Sequence, residues 1–127
     1  MKIEVSIGEV VDKLTILDIK LEKMTNPRKL KNIRREYELL TKDLAEIKIT
    51  SESNEFKNLR KVNLRLWEIE DKIRIKEYEQ KFDDEFIKLA RSVYYENDER
   101  AKIKKEINLK FGSELVEEKE YVDYKKS

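Results

Sequence analysis

Glu52-x-x-Glu55 and, after 12 intervening residues, Glu68-x-x-Asp71 set four carboxylates at one-turn helical spacing. Such oxygen donors can gather Mg²⁺ around a phosphorylated substrate and activate water. A second set comprises polar residues that fall on otherwise apolar seams: Asp12, Lys13 and Asp18 early in the chain, Asn63 and Glu70 in the middle, then Asn97. Burial of such groups is costly unless they are paired, and they can be satisfied in two ways. One is a polar pocket in which Lys13, Arg100 or Lys104 meets an anionic, phosphate- or nucleotide-like ligand that Asp12, Glu70 or Asn97 orients. The other is a set of ion pairs and amide hydrogen bonds that fixes helix register, the best-attested role of buried polar groups and the favoured reading. With no His and no Cys in 127 residues, the commonest zinc ligand, thiolate chemistry and Ser-His-Asp catalysis are excluded. Catalysis would have to use carboxylates, Lys or Tyr.

The carboxylate spacing resembles that of the all-α nucleotide pyrophosphohydrolases, and the resemblance would imply Mg-dependent triphosphate hydrolysis. Glu55 and Glu68 fall on one continuous predicted helix, however, about 20 Å apart by helical rise, so these carboxylates read as solvated helix faces. No catalytic residue, metal ligand or cofactor is assigned. Two basic stretches, Arg28, Lys29, Lys31, Arg34, Arg35 and Lys57, Arg60, Lys61, Arg65, raise nucleic acid as a partner. If helices two and three are antiparallel neighbours, the first stretch lies beside Glu68, Glu70 and Asp71 and the second beside Asp43 and Glu46. The charges then match in exposed pairs, each worth under about 1 kcal/mol. Since 29 Lys and Arg balance 28 Asp and Glu, no excess is left to drive counterion release, and nucleic acid is not expected.

Two Gly, one Pro and 45% charged residues are too few breakers for a many-stranded fold and suit long helices. The expected helices cover roughly 7–24, 28–49, 55–80 and 84–110, followed by a tail over 113–127. Ser6 with Glu9 forms a reciprocal capping box, Asn26-Pro27 and Asp83 supply later starts, and Gly112 a left-handed C-terminal cap. Val10, Leu14, Leu17, Leu21 and Met24 form one seam, widened by Val11, Ile16 and Ile19, which places the first helix at the centre. Leu30, Ile33, Tyr37, Leu40, Leu44 and Ile47 form the second seam. Asn97-Asp98 is a weak point in the fourth helix, read as continuous with a polar core residue. Trp67 is assigned to packing. In the tail, Leu115, Val116 and Tyr121 dock and the final few residues fray.

The segments SIGEVVDKLTILDIKLEK, KNIRREYELL, LWEIEDKIR, FDDEFIKLARSVYYENDERAKIKKEIN and GSELVEEKEY, in this order, resemble a family of short helical bacterial and viral proteins with no established activity. The likeness covers residues 3 to 121; it implies a stand-alone helical domain and brings no catalytic residues. The expectation is an all-α, elongated antiparallel up-down four-helix bundle with a short C-terminal segment, forming one domain over 1–127. No stretch reads as a membrane span or leader, so the chain is expected in the cytoplasm, as a homodimeric interaction or assembly module with a possible protein partner. Its working surface would combine the first helix with the C-terminal segment.

Overall fold

Each helix begins where a short polar side chain can take up free backbone N–H groups. The computed structural model describes residues 2–125, which form α1 (Ile7–Lys23), α2 (Pro27–Ala45), α3 (Asn54–Glu79) and α4 (Asp84–Lys110), with no strand among the described residues. Ser6 Oγ accepts from Glu9 N at 3.2 Å, Asn26 Oδ1 from Arg28 N and Lys29 N, and Asp83 from Phe86 N. The reciprocal half of the expected capping box is absent, because the Glu9 carboxylate turns to Lys104 instead, 2.7 Å away.

Three helices end on a residue in the left-handed region. After α2 it is Lys48 (φ 63°), after α3 Gln80 (φ 56°) and after α4 Gly112 (φ 66°). In each case the next N–H reaches back to a carbonyl five residues earlier: Ile49 to Leu44, Lys81 to Lys76, Ser113 to Asn108. This is the Schellman closure. It shortens α2 relative to the expected 28–49, since the chain reverses at Lys48 to bring Ile49 back onto Leu44 in the core, both nearly fully buried. Ile47 drops off the seam and is exposed.

α1 lies at the centre, packed by α2, α3 and α4. Its partners change along its length: Asn108 and Lys104 of α4 at Gly8 and Glu9, Arg100 with Asn63 at Asp12, and Arg60 of α3 at Asp18 and Glu22. α1 therefore lies across the α3–α4 hairpin, passing from one helix to the other. Within the hairpin, Glu55 pairs with Lys110, Arg65 with Glu96, and Lys76 with Asp83 and Glu85, so its two helices run antiparallel. Along its axis α2 pairs only with α1 and with neither α3 nor α4, and its end alone, through Leu44, reaches the common core. This corrects the expectation that helices two and three are neighbours. The loop between them carries Ile49 into the core and sends α3 off along α4.

The core gathers where α1, the end of α2, the start of α3 and the end of α4 meet: Val11, Leu14, Leu44, Ile49, Phe56, Leu59 and Ile107. No fully buried apolar residue falls between Val62 and Ile107. The outer half of the hairpin thus projects beyond the core, and the chain exposes 9686 Å², against roughly 7,000 Å² for a compact globule of this mass. α4 is continuous through Asn97, as expected. From Phe111 the chain doubles back along α4, held by Lys104–Glu117, Lys105–Glu118 and a Tyr124 hydroxyl donating to Asp98. The Tyr124 ring packs edge-on against Tyr94 and Tyr95, with centroids 4.7 and 4.9 Å away. Tyr124, rather than Leu115 or Tyr121, anchors this strap; those two are 44% and 74% exposed. The expected fraying of the last residues falls partly on Lys126 and Ser127, outside the described residues.

α1 approaches α4 so closely that a Cβ on Gly8 would stand 2.5 Å from the Lys104 carbonyl oxygen. Gly→Ala inside a helix ordinarily stabilises by up to about 1 kcal/mol. Gly8→Ala is expected to do the opposite, costing about 1–3 kcal/mol as α1 is forced off its seat, read as a lower urea midpoint.

Candidate functional site: a polar seam and the cleft beside it

The N-terminus of α1 is seated by side chains from the far end of the chain. Its free donors, Ile7 N and Gly8 N, bond to Ser113 Oγ at 3.1 Å and Asn108 Oδ1 at 2.6 Å, which leaves none of the first turn's donors stranded. One turn on, the Asp12 side chain is 2% exposed and receives a two-pronged bond from Arg100: Nε to Oδ1 at 2.8 Å, Nη2 to Oδ2 at 2.5 Å. Asn63 Nδ2 adds 2.9 Å to the same Oδ1 and 2.8 Å to Thr15 Oγ1. The Thr15 hydroxyl hydrogen is already given to the Asp12 carbonyl, so Thr15 must accept from Asn63. That fixes which way the amide points. No buried side-chain nitrogen or oxygen lacks a partner among the described residues.

Charge is balanced along the whole seam. Hydrogen bonding to Asp12 raises the Arg100 pKa against the opposing effect of burial. Burial pulls the Lys104 ammonium down, but Glu9 and Glu117 outweigh it and its pKa is raised. The same Lys104 contact holds Glu117 below the usual carboxylate range. Burial, then the bond to Asp98, raises the Tyr124 phenol.

Of the six candidate residues, three converge. Glu70, Asn97 and Arg100 line an open cleft of about 610 Å³ between α1, α3 and α4, walled by Trp67, Leu66 and Ile16, with Asp71 and Arg74 at its edge. Asp12 lies beneath Arg100 and is consumed by it. Lys104 opens instead on a hollow of about 400 Å³ under the strap. Lys13 leaves the group: it points to α2, where it pairs with Glu36 at 2.6 Å. The four carboxylates of the Mg²⁺ pattern do not gather either. Glu52 meets Lys57, Glu55 meets Lys110, and Asp71 stands on the cleft; among the described residues no three metal-ligating side chains are placed to hold an ion. Thr15, Asn108, Ser113 and Glu117 were not singled out from sequence. Asn108, one turn beyond Lys104 on the same face, carried a usable signal; Ser113 and Glu117 carried none, being in the tail.

Arg100→Ala would strand a buried carboxylate and is expected to cost about 3–5 kcal/mol, whereas the double change Asp12→Leu with Arg100→Met should recover most of that loss; urea unfolding of both variants checks it. The strap should respond to acid with a definite sign. A lowered pKa in the folded state means Glu117 contributes stability above its ordinary value of 4.5 and loses it as pH falls through the depressed value. Tyr124 ring shifts by NMR should therefore stay constant from neutrality to about 4.5 and move toward free-tyrosine values below it. Glu117→Gln should show part of that movement already at neutral pH.

No helix among the described residues is long and apolar enough to cross a membrane. No curated protein and no solved structure matches the chain. A family model does, over residues 1–125, and the chain accordingly belongs to the family of unknown function DUF6165.

Proposed function

We propose that this protein is a cytoplasmic interaction or assembly module that works as a homodimer through the outer half of its α3–α4 hairpin. One observation carries this: at the projecting end Ile75, Tyr78, Phe82 and Ile87 are 58%, 90%, 54% and 52% exposed. Ile75 and Tyr78 lie on α3, Phe82 on the connecting turn and Ile87 on α4, and the two helices have only each other to pack against there. Two antiparallel helices cannot bury more than one stripe between them, and a second hairpin laid alongside would complete a four-helix layer. Two of the four are aromatic, the side-chain type that anchors interfaces, and together they would form the apolar centre of a contact that needs roughly 800 Å² per partner. α1 is too deeply buried to serve as the working surface expected from its sequence.

A second reading, a small-ligand site in the cleft, draws on the convergence of Glu70, Asn97 and Arg100 beside Trp67. Its weakness for an anion is that Arg100 is already neutralised by Asp12. A thermal-shift panel of nucleotides and phosphates, with and without Mg²⁺, tests it; a saturable shift lost in Asn97→Ala supports it and a flat panel removes it.

For the dimer, sedimentation at high micromolar concentration is expected to give about twice the 15.4 kDa chain mass. Tyr78→Glu and Ile75→Glu should each shift the species to monomer without changing the helical circular dichroism. A wild-type monomer at that concentration overturns the proposal.

A further inference from the structure

Cations crowd the end of the molecule where α1 hands over to α2. Residues 20–35 hold seven, Lys20, Lys23, Arg28, Lys29, Lys31, Arg34 and Arg35, against the single carboxylate of Glu22; the segment carries +6 on a chain whose total is +1. The near-neutral total thus conceals a strong separation of charge. Elsewhere many cations are answered, Arg60, Arg65, Lys76, Arg100, Lys104 and Lys110 by carboxylate partners, while others such as Lys42, Lys61, Lys88 and Arg91 form no ion pair among the described residues but belong to no comparably acid-poor stretch. None of the seven forms an ion pair among the described residues, and Glu22 is turned away to Arg60. The acidic end of α3 that should have matched them lies elsewhere, because α2 pairs along its axis only with α1.

Position sharpens the point. Lys20 and Lys23 occupy the last turn of α1, where a cation suits the helix dipole. Arg28 and Lys29 occupy the first turn of α2, which has no acidic residue, and there the dipole opposes positive charge. A local choice that costs stability and has no partner inside the molecule points to a partner outside it. Arg28, Lys31 and Arg35 follow the i, i+3, i+7 row of one helix face, opposite the stripe of Leu30, Ile33, Tyr37 and Leu44 that is turned to α1. The three side chains are exposed.

We propose that this outward face of α2, with the α1–α2 turn, docks the phosphate backbone of duplex nucleic acid without reading its sequence. A row of Arg and Lys is the group set that displaces condensed counterions from a duplex. Single strands are disfavoured because no aromatic side chain on this face offers a stacking platform. A protein partner would ask for an apolar or aromatic centre, and on this face only Leu39, four residues beyond Arg35 and 56% exposed, is apolar. A membrane surface would ask for an apolar helix face to insert, and that of α2 is already spent on α1.

Fluorescence anisotropy of a short mixed-sequence DNA duplex with the full chain tests this. The expected Kd is on the order of 10⁻⁶–10⁻⁴ M at physiological salt, with log K falling against log salt at a slope of about −3 or steeper. Arg28→Ala should reduce the slope by about 1, and the triple variant Arg28→Glu, Lys31→Glu, Arg35→Glu should abolish binding while keeping its helical circular dichroism. Tyr78→Glu, which addresses the hairpin interface, should bind the duplex undiminished. Absence of binding at low salt, or binding that survives the triple variant, overturns the proposal. So does tighter binding to vesicles of anionic phospholipid than to the duplex, which would assign the face to membranes.

Discussion

A buried carboxylate in the middle of a helix has to be answered by donors from outside that helix, and Asp12 is answered from two sides at once. Arg100 comes from α4 and Asn63 from α3. The cost of leaving any one of these groups unpaired in the interior is several times that of an ordinary surface contact. The three side chains can meet in only one alignment of the helices. Asp12 thereby sets the register of α1 against both members of the hairpin, and Gly8 lets the two backbones close to the distance at which Asn108 and Ser113 reach the first turn of α1.

With α1 fixed across one end of the hairpin, the distribution of apolar burial follows. α2 covers the far side of α1 and goes no further. The hairpin runs on for several turns with nothing laid over it, so side chains that a complete four-helix layer would enclose are left at the surface. Ile75 and Tyr78 are apolar side chains that packing within this chain does not enclose. The basic face of α2 is the electrostatic counterpart. It is left unmatched for the same reason, that along its axis α2 has a single helical neighbour.

Much of the architecture was legible in the chain because it is decided locally. Ser6, Asn26-Pro27 and Asp83 mark starts through groups within three residues of themselves, and α1, α3 and α4 begin and end within a residue of expectation. α1 was identifiable as central from apolar residues on more than one side. The end of α2 was not legible: Lys48 takes the left-handed conformation because Ile49 gains burial against Leu44, and nothing in the identity of a lysine announces that. The pairing of helices is not legible for a related reason. A short loop limits distance, but the choice between packing on α2 and packing on α4 belongs to side chains far away in the sequence.

The candidate site divides along the same line. That Asp12, Asn63, Glu70 and Asn97 interrupt apolar seams is a property of spacing, and spacing is fixed by the covalent chain; the need for partners could be stated from it. Which partner each would find could not. Asp12 and Arg100 lie 88 residues apart and Lys13, adjacent to Asp12, faces the opposite way toward Glu36, because successive helical residues diverge by about 100°. Sequence by itself determined four helices, their caps, the absence of histidine and thiol chemistry, and a set of polar groups that had to be paired. Only the tertiary structure decided that Asp12 is answered by Arg100 and Asn63 while Glu70 and Asn97 face a cleft, that an apolar hairpin end and a basic helix face remain unmatched, and where each lies, since these are outcomes of packing between segments that share no local interaction.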